Sequence, residues 1–199
     1  MAISWTKHRF SGGLLVLDTT NTVVLRGDPR GFDRFENAGE IARFADAAAV
    51  FRAQELGGRP LVFEGDAANV MRLREAADGL FRSAAASGQM EARMLAALLR
   101  ACAAPLEDSH ERFGAAGSPF GDPSRPIAFE AALAVSALSL LAAETWKKVR
   151  ICPNCNWLFL DRSRNASRLW CDMSVCGNRN KARRHYARHR EAEADPVDA

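Results

Sequence analysis

The chain has 199 residues, 48% of them hydrophobic and 26% charged, with a net charge of +3. That length and apolar content suit one cored domain of about 140 residues plus a small module that draws on a metal, and they exclude a wholly disordered chain. The longest apolar run, Ala131 to Ala143, is interrupted by Ser136 and Ser139 and is too short to span a bilayer, and Gly13 to Leu17 is too short for a secretory signal. A cytoplasmic protein with reduced thiols and no membrane partner is therefore expected.

In chain order, Trp5 to Gly13 leads into a strand-like run, Leu14–Leu17, and Asp18 stands where it would cap a short helix over Thr19–Leu25. Arg26 to Asp33, with its Gly and Pro residues, reads as a loop. Asn37–Gln54 has Ile41, Phe44, Ala45, Ala48 and Phe51 at helical spacing, ends at Gly57–Pro60, and is followed by an extended piece, Leu61–Phe63. Asp66 caps a helix through Val70, Leu73, Ala77, Leu80 and Phe81. Gln89–Ala103 forms another, with Met90, Met94, Leu95, Leu98 and Leu99 inward, Cys102 as a buried inert thiol on its last turn, and Pro105 as its stop. Leu106–Pro126, rich in Gly, Pro and Asp, has no period. Ile127–Lys148 reads as one long apolar helix running toward Cys152, and His8 and His110 as surface histidines.

Cys152, Cys155, Cys171 and Cys176 then form a C-x2-C and a C-x4-C pair separated by fifteen residues. Two such pairs place four sulfurs at the corners of a tetrahedron, which points to one structural Zn²⁺. An iron–sulfur cluster is the other use of four thiolates, but the hairpin-sized spacer and the basic sequence that follows favour zinc. Trp157–Leu160 reads as a strand returning through Arg168–Trp170 around a turn at Ser163–Ser167, Gly177 as a sharp bend, and Asn180–Arg190 as a helix. The expected architecture is a mainly α domain with a few short strands (α+β), followed by a small treble-clef-like zinc module of β-hairpin and helix. Four cysteines leave no open metal position, and no P-loop, dinucleotide fingerprint, HExxH or Gly-x-Ser-x-Gly is present, so no catalytic residue is assigned and no enzyme is expected.

Charge is unevenly spread. Residues 147–199 hold 12 Lys+Arg and 6 Asp+Glu, a net +6 against −3 for the rest. At about 100° per residue, Arg179, Arg183 and Arg190 share one sector of the last helix and Lys181, Arg184 and Arg188 the next, with Ala182, His185, Tyr186 and His189 on an arc that can pack. A basic module beside an acidic body suits a polyanion. Arg179, Lys181, Arg183, Arg184 and Arg188 are the candidate phosphate contacts, extended by Arg164 and Arg168 in the hairpin. Asn178 and Asn180 could reach base edges, and local capping is equally open for Asn178. Trp157 and Trp170 read as aromatics packed over the metal. His185 and His189 lack a third ligand and read as packed or solvated. DNA is expected ahead of RNA as the partner, and a homodimer would suit a palindromic site. A protein-interaction module and a ligand-binding or catalytic first domain are the alternatives.

The cysteine run, with Trp157, Phe159, Asp161, Ser163, Arg168, Trp170, Met173, Gly177-Asn178-Arg179 and Lys181 at fixed places, resembles the CGNR zinc finger. Gly12-Gly13-Leu14-Leu15-Val16-Leu17-Asp18-Thr19-Thr20-Asn21-Thr22 is similar to the N-terminal mark of the ABATE domain, with Val16 the one substitution and Thr19 where relatives often carry an aromatic. The resemblance implies a stress-induced transcriptional regulator or an RNA binder. It implies a sensing domain over 1–148 and a finger over 149–190, and the acidic residues after Arg190 read as a flexible tail over 191–199. Asp18, Asn21 and Thr22 would contact an effector in an internal pocket, and the 127–148 helix would relay its binding to the finger.

Overall fold

The computed structural model describes residues 3–107, 109, 113 and 120–194. A 3-10 turn, Lys7–Phe10, leads into helix α1, Leu15–Thr20, whose six residues are all buried. The strand expected over Leu14–Leu17 is therefore a helix. A short apolar run bounded by turn residues reads alike for a buried strand and a buried helix. Asp18 sits inside α1 and caps nothing, and the helix expected over Thr19–Leu25 ends at Thr20. The Thr19 and Thr20 hydroxyls donate back to the carbonyls of Leu15 (2.9 Å) and Leu17 (2.8 Å). Val23–Val24 (β1) then pairs antiparallel with Phe32–Asp33 (β2), which makes the loop between them the tip of a hairpin.

Helix α2, Ala38–Phe51, is capped by Asn37, whose Oδ1 accepts from Glu40 N at 3.1 Å, and it buries Ile41, Phe44, Ala45 and Ala48 as its spacing requires, whereas Phe51, expected on the same face, ends the helix exposed against Phe10. Helix α3, Ala53–Leu56, stops at Gly57, whose φ of 65° belongs to the left-handed region that glycine tolerates. Leu61–Val62 (β3) pairs in parallel with Ile127–Ala128 (β4). Helix α4, Ala67–Ser87, starts from the expected Asp66 cap, and helix α5 spans Ala92–Glu107. Pro105 lies inside α5 rather than beyond it. In the last turn its missing N–H costs at most one helical bond, and the residue is buried there. Leu99 faces solvent instead of the core.

The single helix expected over Ile127–Lys148 is three elements: β4, helix α6 (Phe129–Leu140) and helix α7 (Ala143–Trp146). Ile127 N–H is drawn into the ladder by Pro60 O at 3.0 Å, and no Gly or Pro marks the break after Leu140. Nine of the twelve residues of α6 are buried, so it is the central helix of the core. The irregular stretch before β4 lies partly outside the described residues, as does His110. Its described end is closed by Arg59, which is fully buried and donates to the carbonyls of Phe120, Arg125 (2.7 Å) and Pro126 (3.1 Å).

Val149–Ile151 (β5) and Leu158–Leu160 (β6) pair antiparallel, Val149 opposite Leu160 and Ile151 opposite Leu158. The hairpin is thus built around the first knuckle and not around the Ser163–Ser167 turn, and Arg168–Trp170 is not a strand. Leu158 and Leu160 enter the main core with Leu15, Leu17 and Leu133, while Phe159 joins a second cluster with Trp157, Cys152, Cys171 and Cys176. The period of two along β6 divides one strand between two cores. No helix among the described residues is long and apolar enough to cross a membrane.

Under α1 lies Glu55, which accepts from Leu15 N (2.8 Å) and from Ser136 Oγ (2.6 Å). Burial raises its pKa to about 7 against these hydrogen bonds, and burial likewise raises the adjacent Asp18 to about 6 despite its ion pair with Arg52. A carboxyl whose folded pKa lies above its unfolded value gives stability that is complete below the unfolded value and lost as pH rises through the folded one. Stability is therefore expected to fall between pH 5 and pH 8, by on the order of 3 kcal/mol from Glu55. Urea midpoints across that range should show the slope, and Glu55→Gln should flatten it.

Candidate metal centre and basic helix

The four cysteine sulfurs lie within 4.8 Å of one another, with Cys155 and Cys171 3.4 Å apart and Cys171 and Cys176 3.6 Å apart. Those gaps are far longer than a disulfide, at about 2.05 Å. They are close to the roughly 3.8 Å edge of a tetrahedron with Zn–S bonds of about 2.3 Å. Cys152, Cys171 and Cys176 are buried and Cys155 is half-buried. Cys152, Cys155, Cys171 and Cys176 thus make a closed set of soft ligands for one structural zinc.

Local sequence explains the shape. In the first knuckle Asn156 N–H donates to Cys152 O (2.9 Å) and Cys152 N–H to Trp157 O (2.8 Å), with Asn156 at a φ of 60°, where asparagine is at ease. The loop after β6 is drawn together by Asp161, which accepts from Ser163 N (2.9 Å), Ser163 Oγ (2.6 Å) and Arg168 N (3.0 Å). The second knuckle opens on Asp172, whose Oδ1 accepts from Ser174 N at 2.8 Å at the start of a π-type turn, Met173–Gly177. That turn runs straight into helix α8, Asn178–Ala194. Gly177 makes room for Met173 rather than a sharp bend: a Cβ there would sit 2.4 Å from the Met173 sulfur.

The expected phosphate contacts divide. Arg179, Lys181, Arg183, Arg184 and Arg188 stand exposed on α8, and the arc expected to pack, with Ala182, His185 and Tyr186, is exposed as well. The side chain of His189 lies outside the described residues. Arg168 is committed inward. It donates to Trp170 O (2.8 Å) and Cys171 O, and its guanidinium lies 5.0 Å over the Phe159 ring, so it braces the second knuckle. Asn178 Nδ2 donates to Ser174 O at 2.9 Å, the local role. Helix α8 also runs past Arg190 to Ala194, so the expected tail begins as helix; residues 195–199 lie outside the described residues.

The candidate effector contacts are occupied by the protein itself. Asp18 accepts from Gly12 N (2.8 Å) and pairs with Arg52. Thr22 Oγ1 donates to Thr19 O (2.8 Å) and accepts from Arg74 (3.1 Å), which also pairs with Asp33 at 2.6 Å. Asn21 grips the zinc module: its Nδ2 donates to Leu158 O (2.8 Å) and its Oδ1 accepts from Leu158 N (2.9 Å). Gly12 O accepts from Leu160 N at 2.7 Å, and Gly13, at a φ of 95°, brings backbone against Leu160, where a Cβ would lie 3.2 Å from the leucine's own. The Gly-Gly…Asp…Asn-Thr run is therefore the bracket that seats β6.

Sequence reading also missed His8. It is not a free surface histidine: its Nδ1 lies 2.9 Å from Asp172 Oδ2, and its ring stacks on Trp157 at 5.3 Å. Nothing local in the sequence pairs His8 with residues more than 140 positions away.

A closed tetrathiolate centre, a short hairpin and a basic helix make this a zinc-finger protein. Residues 13–144 match the ABATE family, described as putative stress-induced transcription regulator, and the chain belongs to it; residues 148–189 match the CGNR zinc finger. Neither is an enzyme family. No curated protein matches the chain.

Proposed function

We propose that this chain is a cytoplasmic, zinc-dependent nucleic-acid-binding regulator that engages DNA ahead of RNA, with a first unit over 1–148 and a finger over 149–190. The observation that carries the reading is α8. From Lys181 to Arg188 every residue is exposed, and among the described residues Arg179, Lys181, Arg183, Arg184 and Arg188 have no ion pair. A polar helix without a packed face gains little from its own protein, and a row of unpaired cations suits a phosphate backbone. Zinc fixes the root of the helix at Cys176. If about six phosphates are neutralised on duplex DNA, log K should fall with log salt at a slope near −5.

The deciding experiment is a selection of zinc-loaded protein against random duplex DNA and random RNA pools at two salt concentrations. An enriched DNA motif lost in the Arg183→Ala, Arg184→Ala variant supports the reading, and retention of neither pool ends it. An effector, if one acts, would use the cavity of about 700 Å³ between the first unit and the second knuckle, lined by Lys7, Arg52 and Arg162, since Asp18, Asn21 and Thr22 are enclosed. A homodimer belongs to this reading where the selected motif is palindromic.

Exposed Leu169 (68%), Met173 (54%) and Tyr186 (69%) on the same module favour a second reading, a finger that docks an acidic protein. That binding would survive nuclease treatment.

A further inference from the structure

A second cavity, of about 370 Å³, lies where the N-terminal segment and the β1–β2 hairpin meet the first knuckle and the start of α8. Arg9 and Arg34 of the first unit line it together with Arg179 and Arg183 of the finger helix, and among the described residues no carboxylate does. Setting the net −2 of a zinc tetrathiolate against these four guanidinium groups still leaves an excess of about two positive charges.

Arg34 is the unusual member. It is only 8% exposed, and its guanidinium lies 5.3 Å over Trp157 and 5.8 Å over Phe32. It donates to Asn21 O at 3.2 Å, whereas the half-buried Arg52 and the buried Arg74 each have a carboxylate, Asp18 and Asp33. A desolvated cation that lines one cavity with three others is costly until an anion arrives. Beyond the cavity Arg190 lies on the same sector of α8 as Arg179 and Arg183, and Arg184 and Arg188 occupy the next sector, a spread of cations that suits a chain of phosphates better than a single ion. Phe32, 54% exposed beside Arg34, offers a stacking face for a base at the same place.

We propose that one phosphodiester of the bound nucleic acid is clamped in this groove, between Arg9 and Arg34 of the first domain and Arg179 and Arg183 of the finger helix. The first domain is then part of the nucleic-acid surface and not only a sensor behind it. The inference rests on the function proposed above.

The test uses the full zinc-loaded chain and fluorescence anisotropy on a random-sequence duplex and a single-stranded RNA, each about three turns long, over a series of salt concentrations. Arg9→Gln with Arg34→Met should make the salt slope shallower by about 1, the loss of one neutralised phosphate, and weaken binding at least tenfold at low salt. Thermal melts and zinc content check folding. Should Arg34→Met fail to fold, Thr6→Glu with Arg9→Glu decides, because both change the rim and Thr6 is exposed without a cap bond. Wild-type affinity and slope in the folded variants, with loss in Arg184→Ala, Arg188→Ala, would overturn the clamp and leave the proposed function standing. No binding by the wild type would overturn both. Stabilisation by inorganic phosphate that vanishes in Arg9→Gln, in a wild type that binds neither nucleic acid, would assign the groove to a free anion and overturn the clamp as well.

Discussion

Stripping zinc from the full chain should melt the finger and loosen the first domain with it. Structural zinc supplies folding free energy on the order of 10 kcal/mol in small modules. Here its effect is not confined to residues near the thiolates. Cys152 and Cys155 hold the turn between β5 and β6, and β6 sends Leu158 and Leu160 into the core that also contains Leu15 and Leu17. Without metal the knuckle is left with the backbone bonds between Cys152, Asn156 and Trp157 and the tethers of Asn156 to Arg82 and Arg26, none of which draws the four sulfurs together. Hydrogen exchange on the chelated protein, or on Cys171→Ser, is expected to show lost protection over β6 and α8 and clearly faster exchange in α1. Full protection of α1 in the metal-free protein would show that the two cores are energetically separate.

Asn21→Ala is expected to cost about 3–5 kcal/mol while leaving the metal centre intact. Its side chain is 2% exposed and makes paired hydrogen bonds with both polar groups of the Leu158 backbone. Truncation strands a buried donor and a buried acceptor, at about 1–3 kcal/mol each, and leaves a small cavity. Urea midpoints at saturating zinc would measure the loss. Co²⁺ substituted for zinc should give the same thiolate spectrum in variant and wild type, which separates lost docking from lost ligation. Asn165→Ala, on the exposed loop beyond β6, is the control and should stay within about 0.5 kcal/mol of wild type.

The metal site was legible because ligand spacing is a local property: two knuckles must bring their sulfurs together wherever they sit. The helices with one apolar face, α2 and α4, were legible for the same reason, since Asn37 and Asp66 cap them and their buried residues recur at helical spacing. What could not be read was set by distant partners. Leu158 could pair with strand-like segments on either side, and the alternation of Val149, Arg150 and Ile151 was hidden behind the long Ala- and Leu-rich run. Asn21 meets Leu158 across 137 positions, so its conspicuous polar neighbourhood suggested a ligand where the structure has a strand. Helix α8 was found, but its exposed rear face was not, because a mixture of Ala, His and Tyr does not say whether anything lies behind it.

The division of β6 between two cores has a consequence for any attempt to cut or graft this protein. Residues 145–147, between the two matched segments, look like a seam, yet a chain ended there would lack Leu158 and Leu160, leave an open apolar slot beside α1, and turn the Asn21 amide and the Gly12 carbonyl toward water. The severed finger would carry the two leucines as a greasy strip. A finger transplanted from another chain would have to bring a strand cut to this slot, so the finger and the Gly-Gly…Asp…Asn-Thr bracket can be exchanged only together.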